Sequence, residues 1–226
     1  MEGKRISQMK YCKYIFVVLV ALSVQHSFAQ KSPFYNEVAN FKKQDSMAPP
    51  PSNAILFIGS SSFTMWKDVK EYFPGKQIIN RGFGGSSLSH LIQYFDQVVQ
   101  PYKPKQVVIY CGENDLTVDT VSPELVFYRF MQLFSMLRQL DNDLPIVYIS
   151  IKPSPSRQSL MSRMEVTNKL IKKFLKKQPY TIFVDVYHAM LKRGEPDESL
   201  FIADRLHMNA KGYHIWQRKL QPVLLK

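Results

Sequence analysis

The sequence predicts a doubly wound α/β sandwich, in which helices cover both faces of a parallel β-sheet. Two observations support this fold class. Short segments made almost entirely of apolar residues recur along the chain, as expected for strands that are buried on both faces of a sheet. Amphipathic segments long enough to form helices lie between them, and such alternation is typical of parallel α/β domains. A chain of 226 residues is long enough for one such domain with a sizeable core.

The first 29 residues have the layout of a secretory signal peptide. Four basic residues precede an apolar run at residues 14–24, and the small residues Ser27 and Ala29 follow it. This order predicts cleavage after Ala29 and export to a bacterial periplasm or to the medium. The apolar run of about eleven residues is too short to span a bilayer. We therefore expect no stable membrane insertion after cleavage, and a retained membrane anchor is the alternative.

Cysteine usage agrees with a periplasmic location. Cys12 lies before the apolar run, whereas a lipid-attachment cysteine would follow it. Removal of residues 1–29 leaves Cys111 as the one remaining cysteine. A mature chain of this kind forms no internal disulfide, which fits a periplasm better than the disulfide-rich secreted class.

The N-terminal part of the mature chain is predicted to lie outside the main domain. Residues 30–53 are expected to form a short helix over about 34–43, followed by a stiff connector that contains three consecutive prolines. Residues 54–226 are expected to form a single domain. Its predicted strands are 54–58, 77–80, 106–111, 145–151 and 181–184.

Helices are predicted at about 86–99, 123–140 and 159–177, and after Asn209. The second of these has Ser122 as a capping residue and Pro123 at its first position. The third carries the densest basic cluster, Lys169, Lys172, Lys173, Lys176 and Lys177. These lysines mostly lie opposite an apolar stripe, which indicates a solvated helix face. Because no basic motif is interleaved with aromatic residues, the formal charge of +12 does not indicate a nucleic-acid partner.

Four polar clusters stand where a parallel sheet places its functional site, at the carboxyl ends of strands or before the last helix. They are residues 59–62 (GSSS), 80–87 (NRGFGGSS), 112–115 (GEND) and 204–207 (DRLH). Acyl transfer to a hydroxyl needs a nucleophile, a base, a group that orients the base, and donors for the developing oxyanion. The four clusters supply each of these parts once.

Each cluster also has a plainer interpretation. A turn before a helix can bring the Asp204 carboxylate to the His207 ring, but a loop histidine with no catalytic role would give the same pattern. His90, His188 and His214 are expected to lack a comparable acidic neighbour placed before a helix. The amide of Asn114 suits an oxyanion donor or a turn. The glycines of residues 82–85 offer a backbone N–H or turn flexibility.

Cofactor sites are not predicted. The glycine run follows a strand and opens a helix, but the dinucleotide fingerprint G-x-G-x-x-G would need glycine where Ser87 stands. The chain has no H-E-x-x-H or C-x-x-C motif, so a metal site is not predicted either.

Taken together and in this order, the four clusters resemble the four sequence blocks of the SGNH hydrolases, also called GDSL-type lipases and esterases. The resemblance covers residues 54–224 and is closest to a subgroup whose first block reads G-S-S-S. It implies a three-layer αβα sandwich with about five parallel strands, in agreement with the pattern. In one respect the chain departs from the family, because Ser60 stands where the family has aspartate. This puts the hydrogen bonding of the nucleophile loop in doubt.

The resemblance also implies the roles of individual residues. Ser61 is the expected nucleophile, His207 the base and Asp204 the acid that orients it. The expected oxyanion hole consists of the Ser61 N–H, Gly85 and Asn114. The segment 152–157 follows the fourth strand and so borders this site, where it either shapes the pocket or is an ordinary loop ordered by its prolines.

The function implied is that of an exported serine esterase. The expected substrate is a small-molecule or carbohydrate ester with a small acyl group, acetyl above all, and carbohydrate is suggested by export alone. A lysophospholipase or thioesterase of the same fold is an alternative, and so is a non-catalytic carbohydrate-binding module. The sequence predicts no oligomeric state.

Overall fold

In the computed structural model, the described part of the chain is residues 32–226. The predicted signal peptide, residues 1–29, lies outside the described residues. Five strands form a parallel sheet in the order β2-β1-β3-β4-β5. The strands are β1 (Ile55–Gly59), β2 (Ile78–Gly82), β3 (Gln106–Tyr110), β4 (Ile146–Ile149) and β5 (Thr181–Val184). The predicted fold, a central parallel sheet of about five strands between helical layers, is confirmed.

Eight α-helices are found in the described part of the chain. They are α1 (Tyr35–Met47), α2 (Ser61–Thr64), α3 (Val69–Tyr72), α4 (Leu88–Gln93), α5 (Phe95–Val98), α6 (Pro123–Leu140), α7 (Met161–Leu175) and α8 (Ala210–Leu220). Short 3-10 turns lie at Gln100–Tyr102, Asp115–Thr117, Pro155–Leu160, His188–Met190 and Glu198–Leu200. Two short antiparallel strands, β6 (Leu191–Lys192) and β7 (Glu195–Pro196), form a separate ribbon. None of the helices within residues 32–226 has both the length and the apolar character that crossing a bilayer requires.

An aromatic cluster on one face of the sheet joins the start of the domain to its end. The rings of Trp66 and Tyr213 stack with centroids 4.8 Å apart, and Phe63 meets Trp216 edge-on at 6.0 Å. The Tyr213 hydroxyl also donates to the Ser62 carbonyl at 2.9 Å. Buried aromatic pairs of this kind add about 0.5–1.5 kcal/mol each beyond their area. The cluster therefore holds α2, which follows β1, against α8, the last helix.

The other face of the sheet is covered by α6 and α7. Along β4, consecutive side chains point to opposite faces. Val147 belongs to the aromatic side, while the Tyr148 ring lies 4.9 Å from that of Phe130 on α6. Helix α6 begins as predicted, with Pro123 in its first turn and Ser122 accepting a hydrogen bond from the Leu125 N–H at 3.3 Å. The five clustered lysines on and after α7 are all exposed, in agreement with a solvated face.

Two helices differ from the sequence prediction. The segment 86–99 is not one helix, because Tyr94 leaves the helical region (φ −101°, ψ 14°) between α4 and α5. Its ring is buried and packs edge-on against Phe83 at 5.9 Å. The N-terminal helix extends beyond residue 43 to Met47, and its last turn is fixed because Asp45 pairs with Arg81 and accepts from the Tyr102 hydroxyl at 2.7 Å.

Candidate active site

The first polar cluster forms a tight turn between β1 and α2. Gly59 has φ +152°, and a Cβ atom there would lie 2.0 Å from the Tyr110 carbonyl oxygen, so only glycine fits. Ser60 donates its N–H to the same carbonyl at 3.1 Å and occupies the position just before α2, without a capping hydrogen bond from its side chain. This backbone bond anchors the loop even though the family's aspartate is absent. Ser60 and Ser62 are only 3% and 2% exposed, whereas Ser61, the first residue of α2, is partly exposed.

The last polar cluster forms a second tight turn, just before α8. One carboxylate oxygen of Asp204 accepts the N–H groups of Leu206 and His207, both at 2.9 Å. The other lies 2.6 Å from His207 Nδ1. Arg205 adopts a left-handed conformation (φ 59°), which closes the turn. Helix α8 begins after Asn209, as predicted, and Asn209 caps it by accepting from the N–H groups of Lys211 and Gly212.

These two turns meet across the carboxyl end of the sheet. His207 Nε2 lies 2.9 Å from Ser61 Oγ, so Asp204, His207 and Ser61 form one continuous hydrogen-bonded chain. In this arrangement the carboxylate fixes the proton on Nδ1, and Nε2 is left to accept the serine proton. The geometry suits a serine nucleophile that is activated by a histidine base.

Gly85 and Asn114 supply polar hydrogens at the same end of the sheet, since they follow β2 and β3, the two parallel neighbours of β1. Gly85 is exposed and has φ +75°. Within residues 32–226, neither the Gly85 N–H nor the Ser61 N–H has a hydrogen-bond acceptor. The Asn114 amide donates one N–H to the Ser86 carbonyl at 2.9 Å, and its second N–H has no acceptor in the same part of the chain. Each of these groups can therefore donate to a substrate.

Comparison with known proteins identifies the family. The sequence profile of the GDSL-like Lipase/Acylhydrolase family matches residues 59–215, which is more than half of the chain. The chain belongs to this family. GDSL-like acylhydrolases cleave esters, so the protein is an ester-cleaving hydrolase. No curated protein sequence matches the chain.

Solved structures share the fold at low sequence identity. A Streptococcus pneumoniae protein named for platelet activating factor has a TM-score of 0.75 and 18% identity, over 91% of this chain and 99% of that one. A GDSL-like lipase from Bacteroides thetaiotaomicron has a TM-score of 0.67 and 18% identity, over 82% and 96%. A variant of an acetyl-xylooligosaccharide esterase from Geobacillus stearothermophilus has a TM-score of 0.61 and 16% identity, over 78% and 96%.

Asp204 of this acylhydrolase stays ionised over a wide pH range. Burial raises the pKa of Asp204, but hydrogen bonds from the His207 ring and from the N–H groups of His207 and Leu206 lower it to about 2. The carboxylate is therefore charged whenever the protein is near neutral pH. Its negative charge lies directly against the His207 ring.

Two further side chains of the polar clusters, Asn80 and Asp115, connect the loops of the candidate site by hydrogen bonds. Asn80 donates to the Phe63 carbonyl at 2.7 Å and accepts from the Gly82 N–H at 3.0 Å, which ties β2 to α2. The buried Asp115 carboxylate accepts the Leu88 N–H at 2.9 Å and pairs with Arg129 at 2.8 Å. The second and third clusters are thereby fixed to each other.

A charged network behind Asn114 was missed by the sequence prediction. The carboxylate of Glu113 is 5% exposed and pairs with Lys152 and Arg157, each at 3.1 Å. It also accepts from the Tyr110 hydroxyl. Arg157 in turn donates to Asn114 Oδ1 at 2.9 Å. A sequence signal existed, since the acid follows β3 and both basic residues flank a proline-serine run after the neighbouring strand β4.

One statement about the other histidines was wrong. His188 does have an acidic neighbour, because Asp185 Oδ2 lies 2.8 Å from its Nδ1 and Asp185 Oδ1 accepts its N–H at 3.2 Å. A 3-10 turn begins at His188, so the local pattern matches that of Asp204 and His207. The two histidines differ in exposure, since the side chain of His188 is 75% exposed and that of His207 is 19% exposed. Only His207 contacts Ser61.

A cavity of about 490 Å³ lies beside the candidate oxyanion donors. Gly85 and Asn114 form part of its wall. Hydroxyl groups and an imidazole, from Ser87, Ser89, Thr117, Thr120 and His90, make up much of the rest, together with Val118 and Val121. Polar and apolar atoms contribute about equally to the surface of this cavity.

Proposed function

We propose that the protein is an exported serine esterase that removes small acyl groups, acetyl above all, from carbohydrate esters. The observation that carries this proposal is the hydrogen-bonded chain from Asp204 through His207 to Ser61. Family membership indicates that the reaction is ester cleavage. The three hydrogen-bonded side chains could activate Ser61 as the nucleophile for that reaction.

The mechanism proceeds through an acyl-enzyme. His207 takes the proton of Ser61 as Oγ attacks the ester carbonyl, and the carbonyl oxygen becomes an oxyanion. The N–H groups of Ser61 and Gly85 and the free amide N–H of Asn114 donate to it. The alcohol then leaves with the proton held by His207. Water, deprotonated by the same histidine, attacks the acyl-enzyme and releases the acid, which restores Ser61.

Two observations favour a small acyl group on a sugar. The cavity beside Gly85 and Asn114 has hydroxyl side chains in its wall, which can hydrogen-bond to a polyhydroxylated alcohol. One structural neighbour is an acetyl-xylooligosaccharide esterase, and another is a carbohydrate esterase from Talaromyces cellulolyticus.

Substrate panels test the proposal. We expect acetate release from acetylated xylo-oligosaccharides, and kcat/KM on p-nitrophenyl esters that falls steadily from acetate to dodecanoate. Ser61→Ala should abolish both activities, whereas Ser62→Ala is the matched control. A preference for long acyl chains or thioesters would point to a lysophospholipase or thioesterase instead. Binding of sugars with no hydrolysis of any ester would point to a non-catalytic module.

Export is tested separately. We propose that residues 1–29 are removed as a signal peptide, on the basis of their basic, apolar and small-residue order. Expression of the full chain in a bacterium should give a periplasmic protein whose mass corresponds to a start at Gln30. Recovery of the uncleaved chain in the membrane fraction would show a retained anchor.

A further inference from the structure

The guanidinium of Arg157 contacts two consecutive residues of the third polar cluster. Its Nη1 lies 3.1 Å from Glu113 Oε1, and its Nη2 donates to Asn114 Oδ1 at 2.9 Å. Arg157 lies in the 3-10 turn that precedes α7, and its side chain is 18% exposed. The planar fork of the guanidinium suits such a pair of acceptors, and a lysine ammonium does not reproduce it.

The chemistry of this contact determines how the Asn114 amide is turned. A guanidinium has donors and no acceptor, so it can bond only to the oxygen of the amide. On the other side, Asn114 Nδ2 donates to the Ser86 carbonyl at 2.9 Å. Because the amide is planar, these two bonds fix its plane and the direction of the remaining N–H. The positive charge beside Oδ1 also polarises the amide and strengthens that N–H as a donor.

Arg157 is itself held firmly from two sides. The buried Glu113 carboxylate also accepts from Lys152 at 3.1 Å and from the Tyr110 hydroxyl. Burial raises the pKa of Glu113, but the charges of Lys152 and Arg157 more than offset this, and the pKa lies below its usual range. The backbone of the same segment is tied to the turn of the proposed acid and base, since the Ser156 N–H donates to the Arg205 carbonyl at 3.1 Å.

We propose that Arg157 is a positioning residue that fixes the Asn114 amide so that its free N–H points at the oxyanion. This inference rests on the proposed function, in which Asn114 is an oxyanion donor. The segment 152–157 is then more than a proline-ordered loop, because it connects the oxyanion donor to the turn that holds Asp204 and His207.

A double-mutant cycle on an ester substrate tests this role. Arg157→Met should lower kcat by about 10- to 100-fold, less than the roughly 100- to 1000-fold for complete loss of one oxyanion donor, and should change KM by less than about 3-fold. In an Asn114→Ala background, the same substitution should lower kcat by less than about 2-fold, because no amide remains to be positioned. Arg157→Lys should be impaired nearly as much as Arg157→Met, and it serves as the test variant if the methionine variant does not fold.

The control is Arg138→Met, which removes an arginine that bonds to the Leu144 and Pro179 carbonyls away from the site. It should leave kcat unchanged. Millimolar guanidinium ion should restore part of the kcat of Arg157→Ala and none of that of Asn114→Ala. Equal losses of kcat in both backgrounds, or no loss in either, would overturn the positioning role. Activity that survives Ser61→Ala would instead overturn the proposed function, so the two failures are distinguishable.

Discussion

His207 Nε2 lies 2.9 Å from Ser61 Oγ, although 146 positions separate the two residues in the chain. The contact depends on packing away from the site, since the Phe63 and Trp216 rings and the hydrogen bond from the Tyr213 hydroxyl to the Ser62 carbonyl hold α2 against the last helix, α8. Each partner is placed by its own tight turn, and the shared aromatic cluster brings these two turns together.

Asp204→Asn should lower kcat by about 10⁴-fold, the loss seen when a catalytic histidine is held in the wrong tautomer. The asparagine oxygen would keep the bonds from the Leu206 and His207 N–H groups. Its NH₂ group would then face Nδ1 and force the ring proton onto Nε2, where it blocks acceptance of the serine proton. Steady-state kinetics at neutral pH measures the effect. Asp185→Asn, in the similar but exposed turn, is the matched control and should keep normal kcat.

Asn114→Ala should lower kcat by about 100- to 1000-fold, because one oxyanion donor is lost. The half-buried side chain makes hydrogen bonds to the Ser86 carbonyl and from Arg157, each worth about 1 kcal/mol, so the melting temperature should fall by about 4–8 °C. Kinetics and a thermal melt on the same sample separate these effects. Asn142→Ala, in an exposed turn, is the control. A drop in activity that matched the unfolded fraction would contradict the assigned role.

Glu113→Gln should lower the free energy of unfolding at pH 7 by about 3 kcal/mol, because it leaves a buried lysine without its partner. Glu113 has a folded pKa below its ordinary value of 4.5. Its contribution is therefore complete above about pH 4.5 and is lost as the pH falls through the lower folded value. Urea unfolding should show a smaller difference between wild type and variant at pH 3.5 than at pH 7. Glu198→Gln, in the exposed pair with Arg205, should cost less than about 1 kcal/mol at either pH.

Gly59→Ala should destabilise the fold by more than about 3 kcal/mol, because its Cβ would collide with the β3 backbone at Tyr110. Gly75→Ala is the control. Gly75 also has a positive φ, +79°, but a Cβ there meets no atom within 4 Å. It should cost about 1–2 kcal/mol, the backbone strain alone. If urea unfolding showed the same loss of unfolding free energy for Gly59→Ala and Gly75→Ala, the close approach of β1 and β3 would not require glycine.

Much of the sheet could be predicted because its strands are buried on both faces and read as apolar runs. The bounds of β5 and α6 agree with the prediction residue for residue. The break at Tyr94 could not be predicted, because it depends on packing against Phe83 from another part of the chain. Local pattern alone cannot report such a tertiary contact.

The candidate site, too, could be predicted only in part. The four clusters were visible because each follows a strand or precedes the last helix. The network of Glu113, Lys152 and Arg157 was not predicted, since its members come from two strand ends and become partners only once β3 and β4 pair. The pair of Asp185 and His188 was also missed, although its spacing in the sequence is the same as that of Asp204 and His207. Only burial and the position of Ser61 separate the two pairs.

The central claim is that Ser61 is a nucleophile activated by His207, and covalent labelling tests it most directly. A fluorophosphonate probe should modify the purified protein at one site, and peptide mass spectrometry should place the label on Ser61. His207→Ala should label far more slowly, while Ser60→Ala and Ser62→Ala should still be modified at Ser61. Label on any other residue, or ester hydrolysis by a protein that never takes up label at Ser61, would contradict the claim.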